Sequence, residues 1–153
     1  MLTNTSITGD VLLCKLYTIS GTSLSYHEND YYAAGMLQVV KTTDEDGNIS
    51  YTFTDKQGRT VLNRQMNGTQ QLDTSYVYDV KGNLCFVLQP MYQTTANLGL
   101  YAFQYRYDNR NRCIWKKLPG AEYISYEYND YDQLVCLVIC LIACVAISHL
   151  SSL

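Results

Sequence analysis

Polar and apolar positions alternate most clearly just before a series of acidic or amide residues. Tyr76 and Tyr78, Tyr105 and Tyr107, and Tyr126 and Tyr128 fall at period two, and the alternation reaches back through Tyr101 and Phe103. Period two places each pair on one side of a strand. Five short segments then punctuate the chain: TTDEDGN at Asp44, FTDKQGR at Asp55, VYDVKGN at Asp79, RYDNRNR at Asp108 and EYNDYDQ at Asn129. Three residues later stand Gly47, Gly58, Gly82, Asn111 and Asp132, residue types that accept a left-handed backbone. An Asp or Asn opening a type I turn accepts a hydrogen bond from the backbone two residues on, and the small or amide residue relieves the crowding at the far end. After the turns come RTVLNRQ, LCFVLQP and CIWKKLP, rich in β-formers, the last two closed by Pro90 and Pro119, where pairing has to stop. Each unit therefore predicts strand, turn, strand, in a fold that is all-β and built of antiparallel β-hairpin repeats forming a curved sheet.

The intervals between units are irregular because loops such as Met91 to Gly99 are inserted, and a lone hairpin is marginal in water, so the units need one another. The pattern divides the chain into an N-terminal segment, 1–30, a hairpin-repeat region, 31–133, and an apolar tail, 134–153. In the first segment TNTSITGD reads as loop and VLLCKLYTI as a candidate strand; YYAAGMLQVVKTT then leads into the first turn. The N-terminus has no basic start and no continuous apolar run, so it does not read as a signal peptide. From Leu134 the tail has an unbroken apolar run shorter than the roughly 20 residues a spanning helix needs. Three readings stay open for it: a short membrane anchor, an out-of-frame or truncated end to a longer gene, and a buried strand or helix. Cys136, Cys140 and Cys144 would share one face of a helix, where palmitate could be attached.

Composition narrows the function classes. The net charge is −3 and the 11 Lys and Arg residues are scattered, which excludes the basic stripe of a nucleic-acid binder. Fifteen tyrosines beside three phenylalanines and one tryptophan favour pleated, half-wet surfaces over a helical bundle. The cysteine spacings give neither a zinc motif nor a clear disulfide framework, so the thiols read as reduced and structural. His27 and His149 are too few for a metal site or a Ser-His-Asp arrangement, and no phosphate loop is present. We therefore assign no catalytic residue, no metal and no cofactor. Asp44, Asp46, Asn48 and Asp55 approximate a calcium loop, but Gly47 stands at the wrong position and an acidic turn explains them with less. Asp55, Asp79 and Asp108, one per hairpin, read as turn caps rather than general acids. Tyr76, Tyr78, Tyr105 and Tyr107 admit two readings, cross-strand packing and a glycan-stacking surface, with packing preferred. N-x-S/T triplets at Asn4, Asn48 and Asn67 matter only on a eukaryotic secretory route.

The motif Y-x-Y-D-x-x-G-N/R, seen in YVYDVKGNL and, degenerate, in FTDKQGRTVL, resembles the YD repeats of the RHS family over about residues 31 to 135. The resemblance implies a ribbon of β-hairpins that spirals into a hollow shell, which in bacterial toxins encloses a variable C-terminal toxic domain. It implies secretion or a cell-surface location for a full-length protein, and as partners further repeats, an effector domain and, for some members, glycans. Departures are visible. Five units are too few to close a shell, the proline-containing end of the family's core has no counterpart, and no toxin domain follows. Thr54 stands where Tyr stands elsewhere, Asn111 and Asp132 replace Gly, and Asn129 replaces Asp. The expectation is a non-enzymatic structural module from a remnant or fragment of an RHS protein, with membrane contact reachable through residues 134–153. A surface module binding glycans or protein through its tyrosine strands is the alternative.

Overall fold

The computed structural model describes residues 1–139. In chain order the strands are β1 (Leu2–Thr3), β2 (Thr18–Ser20), β3 (Ser23–Ser25), β4 (Gln38–Thr43), β5 (Ile49–Thr54), β6 (Thr60–Asn67), β7 (Gln70–Tyr78) and β8 (Leu84–Leu88). Two single-turn helices follow, α1 (Tyr92–Thr95) and α2 (Leu98–Tyr101), and then β9 (Ala102–Tyr107), β10 (Cys113–Lys117), β11 (Tyr123–Tyr128) and β12 (Leu134–Ile139). Ten strands form one open antiparallel sheet in the order β1-β4-β5-β6-β7-β8-β9-β10-β11-β12, while β2 and β3 pair separately. The protein is all-β, and from β4 onward every strand pairs with its neighbour in sequence.

All five expected turns form, with one geometry. The amide of the fourth residue donates to the carbonyl of the first, as from Gly58 to Asp55 and from Gly82 to Asp79, both at 3.0 Å. The amide of the first donates to the carbonyl of the fifth, as from Asp79 to Asn83 at 2.9 Å. The fourth residue is left-handed in every case, with φ from 62° at Asn111 and Asp132 to 88° at Gly82. This is a type I turn closed by a left-handed residue, a common three-residue hairpin loop. A meander sends successive connections to opposite edges of the sheet. The turns opened by Asp55, Asp79, Asp108 and Asn129 consequently line one edge, the turn edge, and the Asp44 turn lies on the other. Asp44 and Asp55 are separated by all of β5, about 20 Å of extended chain, so they cannot share one cation.

The four hairpins of the turn edge share a feature that the residue pattern did not announce. In each, the pairing register skips one residue of the second strand: Val61, Cys85, Ile114 and Val135. Each lies six positions after the residue that opens its turn. These are β-bulges, which bend a strand and raise its right-handed twist. The Asp44 hairpin keeps continuous register from Gln38–Thr54 to Thr43–Ile49 and has none.

The core lies on one face of the sheet. Val39, Phe53, Leu62, Ser75, Leu88 and Ala102 stand opposite one another in register across β4 to β9, so they share a face, and all are buried. What covers them is the chain before β4, a strap of mostly irregular structure that includes the N-terminal segment and runs on to Leu37. Its Cys14 and Leu37 join the cluster of Val39, Phe53 and Leu62, while its Tyr17, Ile19 and Leu24 pack on Val77, Phe86 and Leu88. Asn4 pins the strap to itself. Its Nδ2 donates to the carbonyls of Tyr32 and Ala33 at 3.1 and 3.0 Å, and its Oδ1 accepts from the amide of Leu37 at 2.9 Å. Asn4 is fully enclosed, so its N-x-S triplet cannot carry a glycan in the folded chain. Burial pushes the Cys14 thiol up to about 12 and the Cys85 thiol up to about 11, which keeps both protonated and packed as small apolar groups.

Several expectations are corrected here. VLLCKLYTI was expected as a strand, but only Thr18 and Ile19 from it enter one; Leu13 and Lys15 make isolated bridges. The reason is that the carbonyls of Val11 and Leu13 are taken by Arg64 instead of a neighbouring strand. Tyr101 lies in α2, not in an extended β9, and the inserted loop before it buries Tyr92. Two further far-edge turns join the strands, around Gly68 between β6 and β7 and around Gly120 between β10 and β11. Leu134 to Ile139, assigned to the apolar tail with strand and helix both open, form β12 and complete the last hairpin. Among the described residues no helix is long and apolar enough to cross a membrane. The remaining tail, with Cys140 and Cys144 and the anchor and palmitate readings, lies outside the described residues.

Candidate functional site

The turn edge is where the repeated residues converge. In each turn the opening side chain caps the loop: one oxygen of Asp44, Asp55, Asp79, Asp108 or Asn129 accepts from the amides two and four residues on, at 2.8 to 3.0 Å. The other carboxylate oxygen takes the side chain of the fifth residue, which is Asn48, Arg59, Asn83 or Arg112. At the last turn the chemistry reverses. Asn129 donates through Nδ2, and the fifth residue is Gln133, whose Oε1 accepts at 3.0 Å. The fifth position was legible as the N/R of the motif, but its clamp role was not.

These contacts set the acidity of the caps. Asp44 is held below the usual carboxylate range first by the Asn48 side chain. For Asp55, Asp79 and Asp108 the largest influence is burial, which raises, but the hydrogen bonds from the turn amides and from Arg59, Asn83 or Arg112 outweigh it and the net direction is down. Folded carboxyls with lowered values contribute stability that is complete above the unfolded value near 3.8 and is lost as pH falls through the folded values. Urea midpoints should accordingly hold steady down to about pH 5 and fall below about pH 4. Asp79→Asn keeps the cap in the manner of Asn129 and should make the acid slope shallower; an unchanged slope would show that these caps do not govern it.

The tyrosine before each Asp links one hairpin to the one before it. Tyr78 Oη donates to the carbonyl of Thr60 at 2.8 Å, Tyr107 Oη to that of Leu84 at 2.9 Å, and Tyr128 Oη to that of Cys113 at 2.9 Å. Thr60, Leu84 and Cys113 each directly follow the fifth residue of the preceding turn. One bond is thus made three times at equivalent positions. Where the fifth residue is Arg, its guanidinium also stacks on the next tyrosine, Arg59 at 4.7 Å from the Tyr78 ring and Arg112 at 4.8 Å from that of Tyr128. Thr54 stands at the corresponding place in the first turn-edge hairpin, and no such hairpin precedes it to be linked. Turn to turn, Asn83 Nδ2 reaches Asn111 Oδ1 at 3.1 Å, and Arg110 and Arg112 both reach Asp132, at 2.9 and 2.6 Å. The Arg110–Asp132 pair is exposed on both sides and contributes little by itself.

Tyr76 and Tyr105, the other two tyrosines considered for glycan stacking, are half-buried on their strands, with Tyr76 opposite Val87 and Tyr105 opposite Lys116. Tyr105 and Tyr107 share the lining of a small cleft of about 110 Å³ with Asp79, Cys85 and Phe86, and Tyr76 and Tyr78 are not among its walls. A cleft of about 300 Å³ lies elsewhere, between the strap and β6–β7, with Lys15, Tyr17, Tyr26, Tyr92, Arg64 and Asp73 among its walls. Tyr17 meets Tyr26 and Tyr92 edge-on at 5.5 and 6.5 Å, and Lys15 Nζ sits 4.6 Å from the Tyr26 ring. Two of its charged groups, Arg64 and Asp73, are already paired with each other. Arg64 Nε and Nη2 bond both oxygens of Asp73 at 2.6 and 2.5 Å, and Nη1 holds the carbonyls of Val11 and Leu13. Nothing in the sequence flagged this pair, because neither residue belongs to the repeated motif. Among the described residues no group of three His, Cys, Asp or Glu side chains is placed to hold a metal ion.

In comparisons with known proteins the chain matches no protein-family model and no curated protein.

Proposed function

We propose that the chain is a non-enzymatic structural module whose hairpins are interchangeable units of a longer ribbon, akin to part of an RHS-type shell that encloses or presents an effector. The observation that carries this is the tyrosine-to-carbonyl bond made three times between successive hairpins. A bond at the same motif position in every junction is what a stackable unit requires, since each unit must offer its successor the surface it received from its predecessor. At about 1 kcal/mol net each, the bonds align the hairpins rather than fold them. The partners on this reading are further repeats and an effector domain of a longer protein, and its place is outside the cell or at its surface.

Modularity is testable by insertion. A second copy of residues 102–122, comprising β9, its turn, β10 and the following loop, placed after Glu122 duplicates one unit and regenerates both junctions. The expected result is a folded chain with a higher unfolding temperature, because one more interface is added to a nearest-neighbour array. Loss of cooperative unfolding, or a clear drop in the midpoint, would count against the module reading.

A further inference from the structure

The last hairpin carries everything its predecessors use to receive a successor. Its turn is capped by Asn129 and clamped by Gln133, its fourth residue Asp132 is left-handed, and its second strand is bulged at Val135. By the register of the repeat, the carbonyl of Leu134 corresponds to those of Thr60, Leu84 and Cys113. Among the described residues no tyrosine hydroxyl reaches it. Among the described residues β12 is the last strand of the sheet, and Leu134, Val135 and Ile139 are exposed along it. Residues 140–153 contain neither Tyr nor Asp, so they cannot supply the missing group.

We propose that the β12 edge, with the Leu134 carbonyl at its turn end, is a docking surface competent to accept one hairpin of the type Y-x-Y-D-x-x-G/N in trans. The occupant is specified by the three internal junctions, each of which seats such a hairpin on such an edge through main-chain pairing and one tyrosine hydroxyl. Edge strands pair readily with an incoming strand, and the hydroxyl sets which strand and in which register. This rests on the module reading, but the two fail separately: a chain that accepts the inserted unit and yet ignores an added hairpin sinks only the docking surface.

A synthetic peptide of residues 102–118 is the probe, because within the chain this hairpin already occupies the equivalent edge, that of β8. Added to the full-length protein and followed by fluorescence anisotropy, it should bind saturably, and the Tyr107→Phe peptide should bind roughly five-fold more weakly for loss of one neutral hydrogen bond. Photoleucine at position 109 of the peptide locates it. In the chain the carbonyl of Asn109 meets Lys81 Nζ at 3.1 Å, and the corresponding position in the last turn is Tyr131, so label is expected within 130–133. Label at Lys81 would mean that the peptide displaces the chain's own hairpin and would overturn the proposal. Absence of binding, or equal binding by both peptides, would overturn it as well.

Discussion

Arg64→Ala should lower the free energy of unfolding by about 3–5 kcal/mol, the usual cost of breaking a buried ion pair from one side. The side chains of Arg64 and Asp73 are only 6% and 9% exposed, so the carboxylate left behind can neither hydrate fully nor find another cation. The loss has a second part, because the carbonyls of Val11 and Leu13 lose the donor that ties the strap to the sheet. Asp73→Ala strands the guanidinium instead but leaves those two carbonyls bonded, so it should cost somewhat less. Replacing both partners by Met and Leu should recover part of the loss and not all of it, since an apolar pair cannot bond the strap. Urea unfolding of the four proteins measures this, and a single-variant cost under 1 kcal/mol would show that the pair is dispensable.

Phe53→Ala should cost a similar amount, about 3–5 kcal/mol, through a cavity. Phe53 has no exposed surface and sits among Val39, Leu62, Cys14 and Leu37. It therefore touches both the sheet and the strap, and neither can collapse into the gap while the other stays in place. Val80→Ala is the natural control. That side chain points wholly into solvent from the Asp79 turn, and its loss should fall within about 0.5 kcal/mol of neutral. If Phe53→Ala proved as mild as Val80→Ala, the strap would have to be a loose cover rather than half of the core.

Both experiments probe the part of the molecule that was hardest to read from residue order. The turns were legible because their chemistry is local: an Asp or Asn, two residues, and a Gly, Asn or Asp decide the backbone with little help from elsewhere. The strands flanking them were legible for the same reason, from period-two tyrosines and terminal prolines. The strap was not, since Val11 to Leu16 looks like any apolar strand and only the distant Arg64 draws its carbonyls away. Tyr78, Tyr107 and Tyr128 could be seen to recur, but that their hydroxyls point back to the previous hairpin depends on strand register across 15 to 23 residues, which no local pattern encodes. The apolar run from Leu134 was ambiguous between strand and helix, and pairing with β11 decides it as far as Ile139.

The bulges at Val61, Cys85, Ile114 and Val135 fall on the returning strand every time and always near the same edge. Extra twist of one sign at each repeat does not average out; it accumulates. The number of hairpins in such an array therefore fixes an angle as well as a length. Two arrays with different hairpin counts would present their ends in different directions, so lengthening the protein by one hairpin also re-aims whatever is attached beyond it.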